Sequence, residues 1–462
     1  MAVTNIEIDE SQVKLESNKS KPQDVNGDTL SIQSAGADAL NTEITHGSGI
    51  LGTVMNMTNT IIGSGILSIP YSTAQVGWVL ALVIMFFGAT LTMFGLHLLN
   101  IIADRMGGRK TSFGDACRQS YPWLVLVADL LVFFTLWAVA VIYMTIASGI
   151  LPDVMRAFIG DDVSADVFYL QTWFWLLICW GCFAAPLSML KSLWFLAYTS
   201  MAAVICVLWT AFVVFAYSVN IFDPCEGKSI NCQDGDVEAV MWDFGAIMRA
   251  FPVFVLGFCV GPVLFNIYNA MDRQTTKRMD ISAGCTISLV TALYVIISIC
   301  GYFTYGANVG SNILDSYPIS VPASIARLGT AFVVTVSYPL LFHASRDSII
   351  HACGTVVVMC GKKEQGIALT DSSTKSGNIM FYIMAIILNI VAFAFAYFQI
   401  DINMLLSITG AIGTVNLSFT LPAAIYWKMF EEDGMSLLRI LCIPFGIFGV
   451  VAMCISVWAN FF

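Results

Sequence analysis

The stretch NTIIGSGILSIPYSTAQVGW, residues 59–78, places Gly63-Ser64-Gly65 and Pro70 inside an otherwise apolar run. Glycine and proline both weaken a helix. In a lipid bilayer, an interruption of helical backbone is tolerated only where it is buried in protein or lines a cavity. The stretch therefore indicates a membrane helix that is interrupted near its middle.

The composition around this stretch is that of a membrane protein. Of the 462 residues, 58% are hydrophobic and 11% are charged, and the mean hydropathy is +0.79. Soluble domains carry about a quarter charged residues. Apolar runs of about 20 residues are long enough to cross a bilayer. They predict an all-α polytopic fold with eleven spans, at 48–75, 77–102, 122–151, 168–190, 194–221, 246–270, 281–305, 321–344, 377–400, 402–428 and 436–461.

The first 45 residues differ from the rest of the chain. They contain no aromatic residue, and eight acidic residues against Lys14, Lys19 and Lys21 give a net charge of −5. Such a segment cannot bury enough apolar surface to fold alone. It also lacks the basic and apolar regions of a signal peptide. We expect residues 1–45 to be a disordered cytosolic tail and residues 46–462 to form one membrane domain.

Lysine and arginine set the orientation of the spans, because they favour the cytosolic side. With the N-terminus inside, fourteen of these residues fall on cytosolic turns and four lie in outer loops or near outer helix ends. The C-terminus is then extracellular or lumenal. A short cytosolic helix is predicted in SFGDACRQSYPW, residues 112–123. In the acidic outer loop 222–245, Cys225 and Cys232 are either a disulfide, which that compartment permits, or two free thiols.

A second interruption lies five spans after the first. The sixth span reads FPVFVLGFCVGPVLFNIYNAM, residues 251–271, with Gly257, Gly261 and Pro262 at its centre. Transporters built from inverted repeats often break two corresponding helices and bind substrate and ions there. The half-helix after Ser64 would offer N–H groups suited to a carboxylate. The alternative is that these glycines only allow close helix packing.

Several stretches resemble one family. They are NMTNTIIGSGILSIPYSTAQVGW (56–78), PLSMLKSLWFLAYTS (186–200), FPVFVLGFCVGPVLFNIYNAMDRQTTKRM (251–279), YVIISICGYFTYGANVGSNIL (294–314), VTVSYPLLFHASRDSI (334–349) and ITGAIGTVNLSFTLPAAIYW (408–427). The chain resembles the amino acid/auxin permease family of the amino acid–polyamine–organocation superfamily. Within it, the sequence is most similar to sodium-coupled neutral amino acid transporters and vacuolar amino acid transporters. Val260 stands where relatives often carry a histidine, which puts any pH-sensing or substrate-selecting role of that histidine in doubt here.

The resemblance implies a fold like that of the bacterial leucine transporter, with a five-plus-five inverted repeat, broken spans 1 and 6, and an eleventh span. It implies that the substrate carboxylate meets the backbone at 62–66, that its amine meets carbonyls at Gly257 and Phe258, and that Phe258, Val260 and Tyr143 size its side chain. The backbone positions are Ile62, Gly63, Ser64, Gly65 and Ile66. An uncharged lining implies a neutral side chain.

The resemblance also implies a sodium site between spans 1 and 8. The matching positions are Asn56, Asn59, Thr335 and Ser337, which supply the oxygen ligands that hard cations prefer. Thr335 has a second interpretation, because a threonine in a membrane helix usually bonds its own carbonyl one turn back.

Two charged positions have open interpretations. Asp129, inside span 3, either carries a coupling proton or pairs with a cytosolic cation such as Lys191. Arg346 either anchors span 8 at the cytosolic surface or forms an inner-gate ion pair with the tail or first loop. Tyr302 and Tyr305 either line an outer vestibule or are interfacial belt aromatics, and the belt interpretation is favoured.

The function predicted from these features is secondary active transport of neutral L-amino acids, coupled to Na⁺ or H⁺, by a chain acting as a monomer. The alternative is an amino-acid sensor with slow or no transport. No catalytic cluster, P-loop, metal-ligand spacing or channel filter motif is present in the sequence, so neither an enzyme nor a channel is expected. The expected partners are the amino acid and membrane lipid, without nucleic acid or a cofactor beyond the coupling ion. The membrane is the plasma membrane or that of a vacuole or lysosome.

Overall fold

The computed structural model describes residues 48–63, 65–107, 111–160, 164, 166–190, 196–225, 235–371 and 373–461, without the side chains of 196–201. The predicted tail at 1–45 and the predicted residues Ser64, Lys191 and Cys232 lie outside this part of the chain. Throughout the described residues, regular structure is helical, and one isolated bridge joins Ser48 to Met271.

The α-helices of the described ranges are α1 (Ile50–Ile61), α2 (Gly65–Val76), α3 (Trp78–Arg105), α4 (Phe113–Ser120), α5 (Leu124–Ile159), α6 (Thr172–Ile178), α7 (Ala185–Ser188), α8 (Leu196–Ser218), α9 (Phe244–Leu256), α10 (Leu264–Ala270), α11 (Thr276–Tyr305), α12 (Ile313–Ser316), α13 (Val321–Met359), α14 (Lys363–Thr370), α15 (Lys375–Tyr397), α16 (Ile402–Thr409), α17 (Leu421–Met429) and α18 (Leu437–Phe461). Short 3₁₀ turns lie at Phe168–Leu170, Gly261–Val263 and Gly306–Asn308. Segments of π-helix lie at Cys179–Ala184, Gly410–Thr414 and Asn416–Thr420.

Eight helices in the described part of the chain have the length and hydropathy to cross a membrane. The bent pair α1–α2 makes a ninth span when it is counted as one. Two shorter apolar helices, Thr172–Ser188 and Ala202–Ser218, lie where the fourth and fifth spans are predicted. The chain is therefore a multi-pass helical membrane protein.

The eighth span is the clearest departure from the predicted limits. The prediction ends it at 344, but α13 runs for 39 residues to Met359. At a rise of about 1.5 Å per residue this helix is about 58 Å long, nearly twice a hydrocarbon core of about 30 Å. Hydropathy marks where a helix leaves lipid, and it does not mark where the helix ends.

The predicted helix before span 3 is confirmed as α4. Ser112 caps it, because its Oγ accepts from the Asp115 N–H at 3.1 Å and donates to Asp115 Oδ2 at 2.6 Å. This arrangement satisfies an N–H group that the first helical turn would otherwise leave unpaired.

The first interruption falls where the sequence predicts it. Helix α1 ends at Ile61, α2 begins at Gly65, and the two helices are bent by 63°. Pro70 lies inside α2 and packs against Gly301 of α11. A Cβ at Gly301 would lie 2.6 Å from Pro70 Cγ, so only glycine permits this approach.

The sixth span is interrupted as well. Helix α9 ends at Leu256, residues 257–260 are not helical, and a 3₁₀ turn at Gly261–Val263 leads into α10. The start of span 1 and the end of span 6 are then joined through backbone. The Ser48 N–H donates to the Ala270 carbonyl at 2.9 Å, and the Asp272 N–H donates to the Ser48 carbonyl at 3.0 Å.

The belt interpretation of the two tyrosines on α11 is wrong. Tyr302 and Tyr305 are 1% and 2% exposed, so they face protein. The Tyr302 hydroxyl accepts from the Glu238 N–H at 2.9 Å, and the Tyr305 hydroxyl donates to the Pro224 carbonyl at 3.1 Å. Both side chains therefore anchor the loop between α8 and α9, a role that depends on partners distant in sequence.

Candidate functional site

The two interruptions lie against each other. A Cβ placed on Gly65 would lie 3.7 Å from Cα of Gly257, so the start of α2 directly faces the end of α9. Helix α11 packs against both halves of the first span, α1 and α2. The structure thus brings together the backbone positions that the sequence predicts as a substrate site, with Ser64 outside the described residues.

Tyr143 and Phe258 lie beside the breaks as predicted. A Cβ on Gly63 would lie 2.7 Å from the Tyr143 hydroxyl oxygen, so Tyr143 of α5 reaches the first break. The Phe258 ring packs on the Tyr294 ring, with 5.5 Å between centroids. Phe258 and Val260 are fully buried, and Ile66 is 5% exposed. These four side chains carry no charge.

Tyr294 is a site residue that sequence reasoning missed. Its hydroxyl donates to the Gly257 carbonyl at 2.8 Å and lies 3.4 Å from the Ile61 carbonyl. Tyr294 is fully buried on α11. A tyrosine in the apolar seventh span gives a weak signal, because aromatic residues are common in membrane helices.

The tenth span also reaches the site and is not a regular α-helix. Its π-helical segments at Gly410–Thr414 and Asn416–Thr420 lie between α16 and α17. A Cβ on Gly261 would lie 3.3 Å from the Leu417 carbonyl oxygen, which places span 10 against the second break. Segments of π-helix occur frequently at functional sites.

The predicted sodium ligands lie on two helices that share few contacts. Asn56 and Asn59 are half-buried on α1, and Thr335 and Ser337 lie on α13. Helix α1 packs mainly on α11. Thr335 is buried. The assignment of these four residues to a sodium site stays a prediction. No group of three or more His, Cys, Asp or Glu residues that could hold a metal occurs in the described residues.

Asp129 is partly buried. Arg118 of α4 forms its ion pair with Asp115 at 3.8 Å and acts on the Asp129 carboxylate only electrostatically, without a described ion pair or hydrogen bond between them. Sequence reasoning named Lys191 as an example partner, and that residue is outside the described part of the chain. Both the pairing and the proton-coupling interpretations of Asp129 stay open.

On the pairing interpretation, we expect Asp129→Asn to lower the yield of folded protein about as much as Arg118→Gln does, with the double variant no worse than either. Residues in one charge network are not additive. The measurement is monodisperse yield together with uptake per folded molecule across pH. Loss of the pH dependence of uptake in folded Asp129→Asn alone would instead assign a coupling proton to this carboxylate.

Arg346 is neither a surface anchor nor paired with a described residue of the first loop. It is fully buried, 3.0 Å from the carboxylate of Asp347. Its guanidinium lies 3.6 Å from the Phe381 ring centroid and donates to the Ser188 carbonyl at 3.1 Å. It therefore joins the fourth, eighth and ninth spans. The tail, the other predicted partner, lies outside the described residues.

Two further polar clusters escaped sequence reasoning. His343 lies 2.8 Å from Arg346, and Asn389 connects the Tyr338 hydroxyl to Ser188. In a separate cluster, Asp280 accepts from Asn100 at 2.8 Å and lies 2.9 Å from His97 Nδ1. Asn100 and Asn389, each inside an apolar span, were the available signal, since a buried amide requires partners.

Cys225 is disulfide-bonded. Cys232 lies outside the described residues, so its pairing with Cys225 stays a prediction.

A multi-pass helical bundle in which two interrupted helices face each other beside buried uncharged side chains is typical of membrane transporters. Residues 46–462 match the family model described as "Transmembrane amino acid transporter protein". The chain therefore belongs to that transmembrane amino acid transporter family, as its motifs predicted.

Curated relatives are consistent with this assignment. The chain is 26% identical over 383 residues to vacuolar amino acid transporter 5 of Schizosaccharomyces pombe, covering 82% of this chain and 84% of that protein. It is 22% identical over 454 residues to vacuolar amino acid transporter 5 of Saccharomyces cerevisiae, covering 88% and 97%. It is 24% identical over 453 residues to sodium-coupled neutral amino acid symporter 2 of Danio rerio, covering 92% and 84%. These names support transport rather than enzymatic catalysis.

Proposed function

We propose that the chain is a secondary active transporter of neutral L-amino acids that works by alternating access and is coupled to Na⁺ or H⁺. The observation that carries this proposal is the contact between the breaks of spans 1 and 6 at Gly65 and Gly257, beside buried uncharged side chains. Discontinuous helices that meet at the midplane are the usual construction of such substrate sites. A relative named as a sodium-coupled neutral amino acid symporter supports the substrate class.

The proposed architecture is eleven spans arranged as two inverted repeats of five, with one more span at the end. Helices occupy all eleven predicted positions, and the interruptions fall in the first and sixth, which supports this arrangement. The N-terminus would be cytosolic and the C-terminus extracellular or lumenal. Relatives named as vacuolar transporters favour a vacuolar or lysosomal membrane over the plasma membrane.

In this proposal the substrate carboxylate binds at the start of α2. Backbone N–H groups and the helix dipole both favour an anion there. The amine binds carbonyl oxygens at the end of α9, around Gly257. Phe258, Val260 and Tyr143 enclose the side chain. These residues offer no counter-ion to a charged substrate side chain. Because a buried charge without a partner is costly, they favour a neutral side chain.

The test is uptake of pooled radiolabelled neutral amino acids into proteoliposomes under a Na⁺ gradient, a H⁺ gradient or neither. Accumulation that requires one gradient is expected and identifies the coupling ion. Binding of amino acid without accumulation under any gradient would favour the sensor alternative. Absence of both binding and uptake would refute the proposal.

We expect Thr335→Ala to reduce Na⁺-driven uptake at least tenfold if sodium is the coupling ion, because it removes one hard oxygen ligand. Thr304→Ala is the matched control. Thr304 is also buried, and its hydroxyl donates to the Cys300 carbonyl of its own helix at 2.6 Å. Sodium-driven uptake by Thr335→Ala equal to that of the control would remove Thr335 from the ion site.

A further inference from the structure

The carbonyls at both helix breaks share one hydrogen-bond donor. Tyr294 Oη is 2.8 Å from the Gly257 carbonyl oxygen and 3.4 Å from the Ile61 carbonyl oxygen. Ile61 ends α1 and Gly257 follows α9, so one side chain of α11 contacts the broken end of each interrupted span.

The position of this hydroxyl is fixed by packing on the Tyr294 ring. Tyr294 is fully buried, and its ring packs on Phe258 with 5.5 Å between centroids. A Cβ on Gly257 would lie 2.9 Å from Tyr294 Cε2, so the ring also lies directly against the backbone of the second break. The packing of the ring therefore holds the hydroxyl beside both carbonyl oxygens.

We propose that Tyr294 is a substrate-positioning residue whose hydroxyl aligns the Ile61 and Gly257 carbonyls and, together with them, receives the ammonium group of the amino acid. This inference rests on the proposed transport function and adds a residue to its substrate site.

The donor and acceptor inventory permits this arrangement. A carbonyl oxygen has two lone pairs, so the Gly257 carbonyl can accept from Tyr294 and from a substrate N–H at once. A hydroxyl that donates its proton to a carbonyl keeps its own oxygen as an acceptor. The Ile61 carbonyl, the Gly257 carbonyl and Tyr294 Oη therefore provide three acceptors for the three N–H donors of a primary ammonium.

A merely structural role makes a different prediction. If Tyr294 only connects α11 to the two broken spans, removing its hydroxyl weakens the binding of every substrate equally. If the hydroxyl positions the acceptors, its removal weakens binding more for a substrate that uses all three N–H groups. An amino acid and its N-methyl derivative differ in this respect, because the methyl group replaces one N–H donor.

The experiment measures KM and maximal rate for a transported neutral amino acid and its N-methyl derivative in proteoliposomes. The variants are wild type, Tyr294→Phe and Tyr302→Phe. Tyr302 is the matched control because it lies on the same helix, is 1% exposed and uses its hydroxyl to bind the Glu238 N–H of the outer loop.

For Tyr294→Phe, we expect KM for the parent amino acid to rise about fivefold, the effect of one neutral hydrogen bond. KM for the N-methyl derivative should rise less than KM for the parent. The ratio of the N-methyl KM to the parent KM therefore falls, while maximal rates stay within about twofold of wild type. Tyr302→Phe should leave the ratio unchanged. An unchanged ratio in Tyr294→Phe would overturn the inference while leaving the transport function intact.

Two other outcomes are also decisive. If wild type and Tyr302→Phe take up no amino acid under any gradient, the transport function fails and the inference fails with it. If Tyr294→Phe yields no monodisperse protein, wild type alone is measured with the parent, N-methyl and N,N-dimethyl compounds. A stepwise rise in KM would support three acceptors, and equal KM values would refute them.

Discussion

Gly257→Ala is expected to reduce amino acid uptake by at least a hundredfold while leaving the protein able to insert and fold. The added methyl group would lie 2.9 Å from Tyr294 Cε2 and 3.1 Å from the Phe254 carbonyl oxygen. Neither neighbour can move aside easily, because the Tyr294 ring is fully buried and the Phe254 carbonyl oxygen belongs to the backbone. The second break must therefore shift, and a displacement of about 1 Å at a positioning site costs about 10²-fold in rate.

Gly284→Ala is the matched control for this variant. Gly284 lies on α11, and a Cβ there would meet nothing within 4 Å. Alanine favours a helix over glycine by up to about 1 kcal/mol, so this variant should fold and transport like wild type. Uptake into proteoliposomes is compared at equal amounts of monodisperse protein. If Gly257→Ala keeps more than half of wild-type uptake, the second break is not the substrate site.

Arg346→Gln is expected to cause the largest loss of stability. The guanidinium is fully buried beside Asp347, stacks on Phe381 and donates to the Ser188 carbonyl. Removing one partner of a buried ion pair costs about 3–5 kcal/mol, because the other charge is left without compensation. Arg346→Lys should rescue only part of this loss, since an ammonium cannot reproduce the planar, stacked fork of arginine.

Arg105→Gln isolates the effect of burial. Arg105 also has a carboxylate partner, Asp433 at 2.7 Å, and an aromatic one, Phe430 at 4.9 Å. Its side chain is 44% exposed, so its ion pair should contribute about 1 kcal/mol or less. Thermal unfolding in detergent, followed by the loss of monodisperse protein, compares the two variants. Equal melting temperatures would show that the Arg346 network does not hold the fourth, eighth and ninth spans together.

The sequence predicted the features whose signal is local. Glycine inside an apolar run places the breaks at Gly63 and Gly257, and the stretch at 112–123 predicts α4. Recurrent apolar segments placed every described long helix. Each of these features depends on a few neighbouring residues, so a pattern along the chain is enough to find it.

The features that sequence reasoning missed depend on partners far apart in the chain. From its own stretch of sequence, Tyr302 is interpreted as an interfacial aromatic. Its burial depends on the outer loop, where the Glu238 N–H donates to its hydroxyl. The role of Arg346 depends on Phe381 and Ser188, which lie on other spans. Tyr294 is distinguished from other buried tyrosines only by the two carbonyls that it contacts. One sequence carries no record of such pairings.

The measurement that tests the substrate site most directly is protection of Cys259 from alkylation. Cys259 lies in the second break, between Phe258 and Val260, and is partly exposed. Purified protein is treated with a small water-soluble alkylating reagent with and without a saturating mixture of neutral L-amino acids, and the modified peptides are quantified by mass spectrometry. Cys360, an exposed thiol at the C-terminal end of α13, is the internal control. We expect the amino acids to slow modification of Cys259 several-fold and to leave the modification of Cys360 unchanged. An unchanged rate at Cys259, with a mixture that the same preparation transports, would place the substrate site away from the two breaks.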